Sequence, residues 1–172
     1  MQVAFETPRL ILRKFIPEDA PLIFHLNTDP EVIKYVHEPV MENEEQAKDI
    51  IENIIMPQYQ NNLGRWAMHL KSNNEFIGWS GLKYLADKNE TDLGYRLQKI
   101  YWGRGFATEA ASHTLAYGFH SLQLKKITGK AHAQNAASIN ILKKVGMTFK
   151  ADEVEDGSPI KVFDINNPFL YK

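Results

Sequence analysis

Apolar residues fall along the chain in short branched runs and in longer stretches of helical period. Arg9 to Phe15 is short and rich in branched side chains, which predicts a strand. Pro17-Glu18-Asp19 then places proline and acid where a helix begins, predicting a helix to about Leu26. Asn27-Thr28-Asp29-Pro30 ends it. A second helix is expected over Glu44 to Tyr59, where Ala47, Ile50, Ile51, Ile54 and Ile55 recur at helical spacing. The segment between these helices, with Tyr35, His37 and Pro39, has no period and suits a loop lining a substrate entrance.

Three strands are expected next, at Gly64 to Lys71, Glu75 to Leu82 and Glu90 to Leu97. The turn-like Ser72-Asn73-Asn74 and Asp87-Lys88-Asn89 between them predict an antiparallel meander. From Gly105 to about Leu122, the small residues Ala107, Ala110 and Ala111 predict a helix packed closely on a sheet. Lys125 to His132 reads as a strand, and Ala136 to Val145 as a helix stopped by Gly146. Thr148 to Val154 and Ile160 to Ile165 complete a hairpin around Asp156-Gly157. The order β-α-α-β-β-β-α-β-α-β-β mixes hairpins with helical crossovers, so the expected fold is α/β of the mixed kind, a mixed sheet covered by helices.

Composition narrows the function. A length of 172 residues with 44% hydrophobic side chains suits one domain over 1–172 with a single core. Lys and Arg number 20 against 21 Asp and Glu, a net charge of -1, which offers no general attraction to nucleic acid. With no cysteine there is no disulfide framework, thiolate metal site or Cys nucleophile. The six histidines lack ligand spacing, so no metal is expected. No apolar run approaches the roughly 20 residues that span a bilayer. The first residues carry Glu6, Arg9 and Arg13 and do not resemble a secretory signal, so a cytoplasmic protein is the expectation.

The stretch richest in chemistry is Asp92 to Ala111, where a strand runs into Trp102-Gly103-Arg104-Gly105-Phe106-Ala107 and a helix begins at once. Glycines let backbone approach a ligand closely, and the first N–H groups of a helix point outward with partial positive charge. A pyrophosphate fits such a place. Arg104 adds a charged donor, and the Thr108 hydroxyl lies in the first turn. Gly-x-Gly before a helix also serves as a plain turn, and that alternative stands beside the functional one. A P-loop is excluded by the missing Lys-Ser/Thr pair, and a Rossmann fingerprint by the missing third glycine.

Several segments in register make the chain resemble the GCN5-related N-acetyltransferases (GNAT), in particular the RimJ/RimL-like branch that modifies amino termini of ribosomal proteins. The matching segments are Thr7 to Arg13, Ile77 to Leu82, Leu93 to Leu97, Tyr101 to Ala110, Asn135 to Ser138 and Lys144 to Met147. Trp102 at the first position of the pyrophosphate loop also agrees with that branch. The resemblance implies a GNAT fold with a twisted, mostly antiparallel sheet of about seven strands and helices on both faces. It further implies acetyl-CoA as cosubstrate and direct transfer of acetyl to an amine acceptor, a protein amino terminus or a small amine.

The site residues that the resemblance implies are Gly103, Arg104, Gly105, Phe106, Ala107 and Thr108 for the pyrophosphate, and the backbone of Tyr95, Arg96 and Leu97 for the pantetheine arm. The thioester is then expected in a gap between Leu93–Leu97 and Lys125–His132, where backbone N–H groups meet developing charge on its carbonyl oxygen. Asn135 positions the CoA arm. Many relatives place a donor tyrosine seven residues after this asparagine, but here that position is Leu142, so Ser138 is assigned as proton donor or thiolate partner. Asn135 and Ser138 are equally suited to capping the helix that follows.

Strand alternation places Asp92, Gly94 and Arg96 on one face and Leu93, Tyr95 and Leu97 on the other. Asp92 is the first candidate for general base, with Glu90 and His132 behind it, and a water chain is the alternative. Trp66, Trp79 and Tyr95 suit either an acceptor cleft or the core, and core is the commoner role. The acidic Asp152 to Pro159 suits a solvated turn, or attraction of a basic acceptor. A non-catalytic acetyl-CoA-binding sensor or structural domain is the competing function. A monomer and a homodimer both fit the chain, and no membrane partner is expected.

Overall fold

The computed structural model describes residues 1–170. Its centre is a single eight-stranded sheet in the order β1-β2-β3-β4-β5-β6-β8-β7. The strands are β1 (Val3–Glu6), β2 (Leu10–Lys14), β3 (Gly64–Leu70), β4 (Phe76–Leu85), β5 (Glu90–Leu97), β6 (Lys126–His132), β7 (Thr148–Glu155) and β8 (Ser158–Asn166). Every neighbouring pair is antiparallel except β5 with β6, which is parallel. The one strand beyond the seven of the sequence reading is β1, which pairs with β2 through an irregular register between Val3 and Phe5.

Alternation along the strands builds two cores. Trp66 and Met68 of β3 enter a cluster with Leu82, Leu93, Leu97, Ile127 and Phe163. That side is covered by α4 (Phe106–His120), through Ala110, Ala111, Leu115 and Phe119, and by α5 (Ala136–Lys144), through Leu142. Alanines at 110 and 111 let α4 lie close to the sheet. Ala67, Phe76 and Trp79 belong instead to a second cluster with Ile23 and Leu26 of α1 (Ala20–Thr28) and with Ala47 of α2 (Glu44–Ile50). Helices therefore pack on both faces.

The expected single helix over Glu44–Tyr59 is a composite. After α2 the backbone widens into a π turn at Ile51–Ile55, resumes as α3 (Met56–Gln58) and tightens to a 3₁₀ turn at Tyr59–Asn61. The cause lies at Pro57, whose nitrogen carries no hydrogen and cannot continue an α ladder. The preceding Met56 N–H bonds to Ile51 O, the wider spacing that accommodates it. Ile51 and Ile55 remain buried, whereas Ile54 of the expected stripe is 42% exposed, so the stripe survives the change of pitch only in part. The final hairpin turns through Asp156 and Gly157, both at positive φ, the conformation of a type I′ turn.

Candidate active site

The parallel pair β5–β6 is short. Its register holds Asp92 opposite Thr128 and Leu93 opposite Gly129, and no further pairing joins the two strands. Gly94 to Leu97 on one side and Lys130 to His132 on the other therefore border a gap. Backbone groups of β5 that face away from β4 are directed into it.

Beside this gap α4 begins. Gly103 and Gly105 have φ of 71° and 79°, a left-handed conformation that L side chains rarely adopt. Gly105 is the N-cap, and no side chain caps the helix. Residues 102–105 are exposed, and a Cβ at Gly103 would meet nothing within 4 Å. The first N–H groups of α4 are thus presented outward on an open bend, in keeping with what a pyrophosphate needs. Thr108 and Ala107 are half-buried in the first turn, whereas the Phe106 side chain is core, so Phe106 has only its backbone to offer. Trp102 donates from Nε1 to Leu97 O at 3.0 Å, pinning the bend to the end of β5.

A buttress beneath this bend was not foreseen from the sequence. Glu109, in the first turn of α4, accepts from Thr7 Oγ1 at 2.6 Å, from Arg9 N at 2.9 Å and from Arg9 Nε at 2.6 Å. Arg9 also donates to Arg104 O at 3.0 Å, and its guanidinium lies 4.1 Å from the centre of the Phe106 ring. Burial opposes ionisation of Glu109, but the bonds from Thr7 and Arg9 outweigh it and hold the carboxyl below its usual range. Arg104 turns its own guanidinium over the Tyr101 and Phe106 rings. Thr7 and Arg9 lie in the first segment of family resemblance, which was the available signal.

Asn135 and Ser138 open α5. Asn135 is the N-cap and its Oδ1 accepts from Ser138 N at 3.2 Å. The Ser138 hydroxyl is 2.9 Å from the Tyr95 hydroxyl, which also donates to Ser138 O at 3.2 Å. These contacts link β5 to α5. Burial first, relieved in part by the Ser138 bond and reinforced by Asp92, pushes the Tyr95 phenol up to about 12, so it keeps its proton at neutral pH.

The opposite face carries Asp92 and Arg96 from β5, with Thr128, Lys130 and His132 of β6 following the same alternation from the Asp92–Thr128 pair. Part of Asp92 is accessible, but its Oδ1 is shielded and has no hydrogen-bond partner. Burial is the main force on it, and with Glu155 and Glu90 it exceeds the pull of Lys130 and Arg65; the carboxyl is pushed up to about 7. Glu155 sits between Lys130 at 2.7 Å and Lys88 at 2.9 Å, and Asp152 pairs with Lys161 at 2.8 Å. Those hairpin carboxylates are therefore neutralised. Of the other base candidates, His132 lies at the end of β6 with the Tyr35 and His37 rings 5.1 and 6.1 Å away. The aperiodic segment between α1 and α2 thus reaches the sheet beside the gap. Trp66 and Trp79 are buried, Trp66 in the α4-side core and Trp79 in the α1-side core. Among the described residues no group of three His, Asp or Glu side chains is placed to hold a metal, and no helix is long and apolar enough to cross a membrane.

A parted parallel pair beside a glycine-bearing helix start defines an acetyltransferase architecture, and the chain belongs to the GNAT family: the acetyltransferase (GNAT) domain model matches residues 9–148. It is an N-acetyltransferase. It is 36% identical to the uncharacterized N-acetyltransferase p20 of Bacillus licheniformis over 137 residues, 79% of this chain and 77% of that protein. The uncharacterized N-acetyltransferase YoaA of Bacillus subtilis is also 36% identical, over 143 residues, 82% of this chain and 80% of that one. Among solved structures, the ribosomal L7/L12 alpha-N-protein acetyltransferase RimL, in complex with coenzyme A, superposes with a TM-score of 0.82 at 14% identity, covering 96% of this chain and 98% of that one. That last likeness is one of fold.

Proposed function

We propose that this chain binds acetyl-CoA across the α4 start and the β5–β6 gap, and transfers acetyl to a primary amine approaching from the Asp92 face. The observation that carries the reading is the parting of β5 from β6 beyond Leu93 and Gly129, next to an open helix start. Gly103 to Thr108 hold the pyrophosphate through backbone N–H groups, with Arg104 adding charge. The backbone of Tyr95, Arg96 and Leu97 pairs with the pantetheine arm. When bound, acetyl-CoA supplies an activated acetyl thioester.

Asp92 takes a proton from the amine. Its elevated pKa suits a base working near neutrality. Ser138 serves the departing sulfur as proton donor or thiolate partner, and the Tyr95 phenol, which donates to Ser138 O, keeps the serine hydroxyl in place at 2.9 Å. The balance is one N–C bond formed, one C–S bond broken, one proton taken from the amine and one given to the departing thiolate, which leaves as free thiol. The acceptor classes are a protein amino terminus, as the name of the RimL neighbour gives, and a small amine, as the name of a spermidine N-acetyltransferase neighbour of the same fold gives.

Titration with CoA and a thiol-release assay over amines and peptides test the reading together. Binding with amine-dependent thiol release is the expected result. CoA binding without release from any acceptor would leave the sensor role instead, and no binding would overturn both.

A further inference from the structure

On the face that carries Asp92, two arginines converge on one ring. Arg65 of β3 and Arg96 of β5 place their guanidinium carbons 4.4 and 5.4 Å from the centre of the Trp79 ring. Trp79 pairs with Arg96 across β4–β5 and leans over Gly94, where a Cβ would come within 3.1 Å of the ring. The missing side chain at Gly94 is what admits the indole. The two arginine side chains are only 20% and 10% exposed, so each cation has lost most of its water.

Their compensation is thin. Among the described residues both pair with one carboxylate, Glu38, at 3.8 Å from Arg65 and 3.4 Å from Arg96. Arg96 also donates to Asn27 Oδ1. The Glu38 contacts are longer than the roughly 2.7–2.9 Å of charge-assisted bonds, and Glu38 is 41% exposed, on the connection between α1 and α2. The molecule shows elsewhere how it closes an arginine in a purely structural pair: Arg13 meets Asp19 through two bonds of 2.7 and 2.9 Å. Burial and the neighbouring Arg96 both disfavour the charge on Arg65, with Glu38 opposing them. Two shielded forks that share one loose, solvent-facing carboxylate, with Asn27 Oδ1 as a neutral acceptor for Arg96, have capacity for a better anion.

We infer that Arg65 and Arg96 form a subsite for a carboxylate on the amine acceptor, and that Glu38 occupies it as an internal stand-in until the acceptor arrives. The inference rests on the acceptor approaching from the Asp92 face. Arg65 pairs with Gly81 and Gly81 with Gly94, two residues along β5 from Asp92 on the same face, and the charges of Arg65 and Asp92 act on each other. A compact acceptor therefore spans both, its carboxylate on the arginines and its amine toward Asp92. A free amino acid has this form, and so does a peptide whose amino-terminal residue is acidic. A linear polyamine offers the arginines only repulsion.

The test compares thiol release with free amino acids, their carboxamides, peptides beginning with acidic or neutral residues, and spermidine. A fall in kcat/KM of about tenfold or more from acid to carboxamide is expected, the loss of a charged hydrogen-bonding partner. Arg65→Gln should remove that discrimination. Glu38→Gln should lower KM for the acid, and CoA affinity should hold in both variants. Preference between the free amino acids and the acidic peptides identifies the carboxylate's source. Arg65→Lys, which keeps charge but not the fork, serves if Arg65→Gln fails to fold, with an intermediate discrimination expected.

A second readout needs no turnover: calorimetry with N-acetyl amino acids against their carboxamides, expected to favour the acids through Arg65. Equal use of acids and carboxamides, or preference for spermidine, overturns the carboxylate subsite and leaves the transferase intact. Arg65-dependent binding of the acids with no acetylation of any amine does the reverse.

Discussion

At Asp92 the fold holds a carboxyl whose Oδ1 is shielded and unpartnered, with a pKa pushed up to about 7 chiefly by burial. Its folded value lies above the ordinary value of about 3.9, so the folded state holds the proton more tightly than the unfolded one. The resulting stabilisation is complete below about pH 4 and is lost as pH rises through about 7. Asp92→Asn removes that loss. The variant should be more stable than wild type at pH 8, by about 1–2 kcal/mol once partial exposure is discounted, yet lose the rise of kcat/KM through pH 7. Urea melts at pH 5 and 8 and a pH–rate profile check the two halves, and an unchanged profile would leave a water chain as the base. Ser138 makes a different demand. Its hydroxyl meets Tyr95 and its N–H is capped by Asn135, so Ser138→Ala deletes the donor and keeps the cap. Turnover should fall on the order of a hundredfold with CoA affinity nearly unchanged. Tyr95→Phe should act through the same path, so that the double variant loses less than the two single effects combined. Equal losses in kcat and CoA affinity would make Ser138 a binding residue.

At the level of elements, the first turn of α4 depends on a partner about a hundred residues away in sequence. Glu109 anchors it to Thr7 and Arg9. Glu109→Ala leaves those donors unpaired and frees the bend, costing about 1–3 kcal/mol of stability and weakening CoA binding more than it slows the saturated enzyme. Thermal melts and CoA titration separate the two effects. This contact also marks the limit of what the sequence discloses. The strands β3, β4 and β5, the αL glycines before α4 and the cap at Asn135 were legible, because period, turn residues and caps act over a few positions. The Glu109–Arg9 clasp and the Arg65–Trp79–Arg96 stack were not, because only the packing of α4 against the β1–β2 connection joins the first and only sheet order joins the second. The π turn escaped for a subtler reason: Ile50, Ile51, Ile54 and Ile55 read as a helical stripe, and the proline that alters its pitch comes after them. The strand β1 has four residues, none fully buried, too little contrast for a periodic signal.

In the whole molecule the proposed function gives the two sides of the sheet different tasks. The donor's phosphates are assigned to the α4 start, and the acceptor to the face covered by α1 and the segment after it; the β5–β6 gap is where the sides communicate. This division predicts how substitutions combine. Gly105→Val forces a β-branched side chain to φ of 79°, a strain of about 1–3 kcal/mol, and sets bulk where a phosphate would approach. Arg65→Gln acts on the other face. Their effects on kcat/KM should multiply, because distant sites without shared partners add in free energy within about 0.3–0.5 kcal/mol. Arg65→Gln with Asp92→Asn should not combine so simply. Arg65 lowers the Asp92 pKa by its charge, and a variant without the carboxyl has nothing left for that charge to act on. Measured in one thiol-release assay at saturating CoA and again at limiting CoA, the two cycles give opposite signatures. Coupling of Gly105 with Arg65 as strong as that of Asp92 with Arg65 would mean that donor and acceptor share one side of the sheet.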